Sequence, residues 1–308
     1  MKFIDEIKDE LTHLLDVKSS MLTSQFMEEL KKYKPRPMKI IIGDKPAVLV
    51  DGEFYHSKFK NVLQCLSLSI PVFMVGDAGS GKTTIAEQCA AALNLPYYCL
   101  SVCSQTSEVA FMGYRNASGN YVRTLFREAY EYGGIFLVDE IDNGNPNVIS
   151  VINAALSNDV CSFPDAMVKK HPDFRLLASG NTIGRGADRK YVGRLEMDLA
   201  TLDRFCLIVI DYDEEIEGKV ALTQVAARVS DLRKVIHAKK IRLIVSPRAS
   251  INISKLMMNG VSYKDALDMC VFKGCDRSII EQIPTHLLEL DLGSEPLLFA
   301  PCPPPCPA

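Results

Sequence analysis

The chain has 308 residues, 47% of them hydrophobic, and a formal net charge of −3. That length accommodates about two domains with a sizeable core. The slightly acidic balance supplies no global field for nucleic acid, and no apolar run approaches a membrane span. The ten cysteines are scattered without paired C-x-x-C spacing, which reads as reduced thiols and not as a disulfide framework or zinc site.

In chain order, the N-terminus is acidic and amphipathic, unlike a signal peptide. Ile4, Ile7, Leu11 and Leu14, then Leu22, Phe26, Leu30 and Tyr33, repeat at helical spacing. Residues 1–34 are therefore expected to be a helical element that packs on the body or on a neighbouring subunit. The basic run Lys31–Arg36 suits the end of that helix. Pro35 and Pro37 mark a boundary. A short hairpin is predicted from Lys39–Ile42 and Ala47–Val50 around Gly43-Asp44. A helix is predicted over His56–Leu68, with His56 as a surface or capping residue.

The apolar run Ile70–Val75 then meets Gly76-Asp77-Ala78-Gly79-Ser80-Gly81-Lys82-Thr83, which fits G-x-x-x-x-G-K-[ST], the P-loop pattern. Its three glycines let backbone N–H groups turn inward around phosphate. The helix that follows from Thr84 adds its N-terminal partial charge. Lys82 is placed to reach the β- and γ-phosphates of ATP, and the Thr83 hydroxyl to ligate Mg²⁺.

Strands and helices alternate beyond this point. Strands are predicted at Pro96–Ser101, Gly134–Val138, Phe174–Ser179 and Phe205–Ile210, and helices at Leu125–Tyr132 and Pro146–Leu156. This is the pattern of an α/β domain with a mostly parallel sheet and helices on both faces. Asp139 and Glu140 end an apolar strand, the Walker B arrangement. Asp139 there suits Mg²⁺, and Glu140 suits polarising a water. After Asp211 the pattern turns helical, with Leu222, Val225, Val229, Leu232 and Ile236 on one face. The expected division is an α/β core over 35–212, an all-helical lid domain over 213–290 and a proline-rich tail over 291–308.

With these motifs in order, the sequence resembles the AAA+ ATPases from about Phe73 to Leu256. The likeness implies several roles. Asn181, in Ser179-Gly180-Asn181-Thr182, is similar to the sensor 1 residue that helps hold the attacking water. Arg204, in Leu202-Asp203-Arg204-Phe205, is similar to the arginine finger that reaches a neighbouring subunit's ATP. Arg248, in Ser246-Pro247-Arg248, is similar to sensor 2. Within AAA+ the sequence most resembles the MoxR and cobaltochelatase small-subunit branch. Segments 108–122, 159–174 and Tyr191-Val192-Gly193 carry that likeness. The compact layout also resembles stand-alone ATPases of bacteriophage genomes.

The resemblance implies a Mg-dependent ATPase with the P-loop core joined to a helical lid. It further implies a homo-oligomeric ring of six subunits that remodels a protein client, such as one with a metal-dependent adhesion domain, in the cytoplasm or a host's cytoplasm. Tyr114, Tyr121 and Phe163 read equally as client-gripping aromatics and as hairpin core. Two other classes stay open: a nucleic-acid motor or loader, and a P-loop enzyme such as a cobaltochelatase-like subunit or a kinase.

Overall fold

The structure, a computed structural model, describes residues 53–188 and 190–290, together with residues 41, 42, 45, 46 and 49. The expected N-terminal helices and proline-rich tail lie outside the described residues. The predicted hairpin is present but tighter: β1 (Ile41–Ile42) pairs antiparallel with β2 (Lys45–Pro46).

The main sheet has five parallel strands. They are β3 (Val72–Val75), β4 (Tyr97–Ser101), β7 (Gly134–Asp139), β10 (Phe174–Gly180) and β11 (Cys206–Val209), in spatial order β11-β3-β10-β7-β4. Parallel strands need crossovers, and the helices α1 (Phe59–Ser67), α2 (Lys82–Leu93), α4 (Leu125–Tyr132) and α5 (Pro146–Ser157) supply the cover. Continuous apolar runs make the central strands because both faces are covered there, whereas the edge strand β11 stays largely exposed. Val72–Val75 is buried throughout, as is Gly134–Val138. One apolar cluster holds Leu63, Leu66, Ile85, Cys89 and Leu137. The other, on Phe73, Phe126, Phe136 and Phe174, is aromatic.

Two hairpins sit beside the aromatic cluster. After the short helix α3 (Val109–Met112) come β5 (Tyr114–Arg115) and β6 (Tyr121–Val122); β8 (Val160–Ser162) and β9 (Met167–Lys169) form the second hairpin. Arg115 Nε donates to Pro164 O at 3.0 Å and joins them. Buried Arg127 pairs with Glu131 and Asp165, both at 2.9 Å, and its guanidinium lies 4.4 Å from the Phe163 ring centroid. Phe163 is buried, and the Tyr121 hydroxyl donates to Met112 O at 2.7 Å. These two aromatics therefore belong to the hairpin core, whereas Tyr114 is 47% exposed.

Helices α6 (Leu199–Leu202) and α7 (Glu214–Val220) flank β11 in sequence. Then α8 (Thr223–Ala238), α9 (Pro247–Met258), α10 (Tyr263–Leu267) and α11 (Arg277–Ile280) follow. They enclose a third cluster of Leu222, Val229, Leu232, Ile253 and Phe272. Pro247 opens α9, where its missing N–H costs nothing. His56 departs from its expected place on the surface. It is 7% exposed, with Nε2 2.9 Å from Asp211 O and Nδ1 accepting from Lys58 N–H at 3.0 Å. It thus does cap the turn into α1, but long-range pairing with the end of β11 buries it.

The fold predicts an uneven response to truncation. Phe126 is 1% exposed and lies 5.2 Å from the Phe136 ring and 6.1 Å from those of Phe111 and Phe174. Phe126→Ala is expected to cost roughly 3–5 kcal/mol in denaturant unfolding. Leu68, 72% exposed, is expected to lose no more than about 0.5 kcal/mol on the same change.

Candidate functional site

The C-terminal ends of β3, β10 and β7 are adjacent, because β10 lies between the other two. A crevice outside the carboxyl ends of parallel strands is where open α/β sheets bind ligands. Each of these ends carries one of the sequence motifs. The P-loop follows β3, Asp139-Glu140 ends β7, and Asn181 follows β10.

Gly79 and Gly81 have φ of +83° and +90°, a backbone that side chains resist. Gly76 is required for a different reason: a Cβ there would lie 2.0 Å from Ile210 O. Gly81 is the N-cap of α2, and no side chain caps that helix. Its first-turn N–H groups, including those of Lys82, Thr83 and Thr84, are therefore left for an anion. Ser80 Oγ is buried without a hydrogen-bond partner among the described residues. A helix start without a side-chain cap, an orphaned hydroxyl and two left-handed glycines fit a phosphate group.

Lys82 is 9% exposed, and its ammonium donates to Gly76 O at 2.7 Å, Asp77 O at 3.2 Å and Asn181 Oδ1 at 3.1 Å. Burial pushes its pKa down from the ordinary lysine value, while the carboxylates of Asp139, Asp142 and Asp77 oppose the shift. Asp139 accepts from the Ser179 hydroxyl and, at 3.2 Å, from Glu140 N–H. Glu140 is a non-glycine residue at φ 56°, held there by the turn Ile141–Asn143. Its Oε2 lies 3.4 Å from both Asn143 Nδ2 and Arg194 Nη1.

The two arginines named from the sequence lie in different places. Arg248 is beside its own P-loop: a Cβ on Gly79 would lie 3.5 Å from Arg248 Cγ, and its charge acts on Lys82. Arg204 instead contacts the C-terminal end of α5, through Ser157 Oγ at 3.1 and 3.3 Å, and Ala200 O in α6. It precedes β11, the edge strand of the sheet. Beside it a mainly apolar hollow of about 630 Å³ is lined by Phe73, Ile183, Leu199, Leu202 and Leu207 together with Arg185 and Asp203, and Leu199 is 76% exposed.

Several residues at the site carried no role in the sequence reading. Asp142 is fully buried, and its Oδ2 accepts from Asn181 N–H at 3.1 Å and from Thr182 N–H and Oγ1, each at 2.9 Å. Tyr191 Oη accepts from Ala78 N–H at 3.0 Å and donates to Asp77 Oδ1 at 3.1 Å; burial pushes that phenol's pKa up to about 12. Lys190 pairs with Asp77 at 2.8 Å. Tyr212 donates to Ala78 O at 3.1 Å beneath the Arg233 guanidinium. A cavity of about 580 Å³ opens here between the P-loop and α8, lined by Asp77, Tyr212, Arg233, His237 and Ile244. The signal for Tyr191 was only its neighbourhood to Gly193; Asp142 had none beyond lying two residues from Glu140.

Among the described residues, no cluster of three or more His, Cys, Asp or Glu could hold a metal by itself. Mg²⁺ does not require one, since it commonly binds through one or two carboxylates plus phosphate and water. Thr83 and Asp139 present the hard oxygen donors that this mode uses. No helix among the described residues is long and apolar enough to cross a membrane.

Comparison with known proteins agrees with this geometry. Residues 71–205 match the model of the AAA domain, dynein-related subfamily. The aerobic cobaltochelatase subunit CobS of a Sinorhizobium species is 28% identical over 196 residues, which span 58% of this chain and 58% of CobS. An uncharacterised protein of Staphylococcus haemolyticus is 26% identical over 175 residues, covering 53% of this chain and 63% of that one. The chain thus matches about three-fifths of these relatives' length. Among solved structures, Brucella abortus NtrX in complex with ADP aligns with 89% of this chain and 60% of its own, at TM-score 0.42 and 14% identity. A point mutant of Thermotoga maritima RuvB covers 65% and 62%, at TM-score 0.43 and 17% identity. The stretch that matches the dynein-related AAA-domain model, residues 71–205, holds the P-loop, the paired acids and Asn181 on adjacent strand ends.

Proposed function

We propose that the chain is an ATPase that works in a ring and drives a change in a protein partner. The observation that carries the reading is the Lys82 ammonium, which ties the P-loop to Asn181 at the ends of two neighbouring strands. In this reading the phosphates lie on the N–H groups of residues 79–84, Lys82 neutralises the β- and γ-oxygens, and the nucleoside occupies the cavity beside Tyr212. Mg²⁺ held through Thr83 and Asp139 supplies further neutralisation of the phosphate charge.

Asn181 orients a water and Glu140 takes its proton as the oxygen attacks the γ-phosphorus. The bond to the β–γ bridging oxygen breaks, leaving ADP and phosphate. Arg248 reads the γ-phosphate of its own subunit, from the helical lid that begins near residue 213. Arg204 reaches the γ-phosphate of the next subunit. Its edge-strand position and the apolar hollow beside it support that arrangement, and six subunits follow from the family likeness. CobS is named as a subunit of a larger enzyme; by analogy we propose that this chain acts on a separate protein, with exposed Tyr114 as the hairpin residue that touches it.

Lys82→Ala is expected to abolish tight ATP binding, because the phosphate charge loses its counter-charge. Glu140→Gln is expected to bind ATP normally and nearly stop turnover, since an amide cannot accept the water's proton. Equilibrium binding and steady-state phosphate release check both, and a wild-type rate for Glu140→Gln sinks the assignment of the base.

Arg248→Ala is expected to weaken ATP binding more than ADP binding, because only ATP carries the γ-phosphate. Equal losses in titrations with the two nucleotides would remove Arg248 from that contact.

Arg204→Ala is expected to leave binding intact and slow turnover by roughly 10³–10⁵, the worth of an arginine finger. Mixed rings of Arg204→Ala and Glu140→Gln subunits are expected to regain activity at interfaces where an intact Glu140 meets an intact Arg204. Co-assembled mixtures that stay inactive at every ratio rule out a finger acting between subunits.

A further inference from the structure

The proposed base Glu140 is not held by its own strand alone. Arg194, with a side chain only 10% exposed, stands between two carboxylates: Nη1 is 3.4 Å from Glu140 Oε2 and Nε is 3.3 Å from Asp142 Oδ2. The backbone fixes this placement. Leu195 N–H donates to Asp142 O at 3.1 Å, Met197 N–H to Gly184 O at 2.8 Å, and Arg185 bridges to Glu196. The Arg194 guanidinium also lies 5.8 Å from the Tyr191 ring centroid. A solvated surface arginine would show none of this. Ordering so long a side chain carries an entropic cost that a loosely held ion pair does not offset.

Asp142 extends the arrangement. The oxygen that meets Arg194 also accepts from the N–H of Asn181, so one carboxylate links the arginine to the residue proposed to orient the water. Asp142 Oδ1 is buried with no hydrogen-bond partner among the described residues. The guanidinium therefore has a second acceptor within its own site, toward which it can turn while still holding Asp142.

We propose that Arg194 is the positioning residue of the base. It holds Glu140 through Oε2, which leaves Oε1 to face the water that Asn181 orients, and it references that hold to Asp142. A base oriented by a third group is the general logic of such sites, and misplacement by about 1 Å can cost roughly 10²-fold. The proposal rests on the reading of Glu140 as base, and its test separates the two.

The experiment measures kcat, KM and ADP affinity for Arg194→Ala, Arg194→Lys, Glu140→Gln and the double variant Arg194→Ala/Glu140→Gln. Thermal melting with and without ADP accompanies each. Arg194→Ala is expected to lower kcat by roughly 10–100-fold with KM and ADP affinity changed less than about twofold. Arg194→Lys, which keeps a cation beside Glu140, is expected to recover part of the loss. In the Glu140→Gln background, removing Arg194 is expected to cost less than about twofold further, because groups that act as a unit are not additive. A wild-type kcat for Arg194→Ala, or its full loss repeated on top of Glu140→Gln, overturns the proposal while Glu140 keeps its role. If Arg194→Ala fails to fold, Arg194→Lys decides: a kcat lowered by less than about 100-fold, with KM and ADP affinity retained, supports positioning through the guanidinium, and a wild-type kcat overturns it. Wild-type turnover in Glu140→Gln overturns the reading of the base itself.

Discussion

A buried carboxylate must be paired or neutralised, and Asp142 satisfies that constraint at the centre of the site. One of its oxygens collects two backbone N–H groups, a threonine hydroxyl and an arginine. Those donors come from three parts of the chain: the exit of β10, its following residue, and the segment leading toward Arg204. Asn181 and Arg194 are therefore positioned by the same atom. The turn that carries Asp142 also forces Glu140 into a left-handed backbone. Such a conformation costs of order 1–3 kcal/mol and persists only where its surroundings over-determine it. Here the surroundings are the 3₁₀ turn, Asn143 and Arg194.

A second buried acid organises the junction between sheet and helices. Glu217, 2% exposed, receives both Arg233 Nη2 contacts at 2.9 and 3.0 Å and the hydroxyl of Ser250. Arg233 in turn donates to Val245 O and covers the Tyr212 ring at 4.5 Å. Tyr212 bonds the P-loop at Ala78. A chain of contacts thus runs from the helical region's own core through an ion pair and a ring to the phosphate loop. His56 and Ser57 likewise join the residues before α1 to Asp211 and Asp213, in the segment between β11 and α7. Burial alone would raise the Asp213 carboxyl, but the N–H groups of Ser57 and Ile216 outweigh it and hold it below its usual range. The helical region is therefore linked to the P-loop through identifiable bonds.

The strand motifs were readable because their chemistry is local. Three glycines, a lysine and a threonine at fixed spacing specify a phosphate loop with no reference to the rest of the chain. Fully apolar runs such as Gly134–Val138 specify strands covered on both faces. Helix and strand positions across the core followed from period and punctuation, and the expected Leu125–Tyr132 helix has the same limits in the structure. Where the pattern was short, the limits were less sharp: Ile41–Ile42 pairs with Lys45–Pro46, because a tight turn needs only two residues between its strands.

The sequence by itself determined the P-loop, the paired acids and the alternation that makes a parallel sheet. Each is a pattern of neighbours in the chain, so spacing is enough to reveal it. Only the tertiary structure decided which of these stand together. Lys82 meets Asn181 across 99 positions, Tyr191 meets Asp77 across 114, and His56 meets Asp211 across 155. It also separated Phe163 and Tyr121, held in the hairpin core, from exposed Tyr114, and set Arg248 beside its own P-loop. Burial and long-range pairing are properties of packed surfaces, and no local spacing records them. Asp142 and Arg194 show this most plainly: a lone acid and a lone arginine in sequence become a shared anchor only once β7, β10 and the segment after Asn181 are packed side by side.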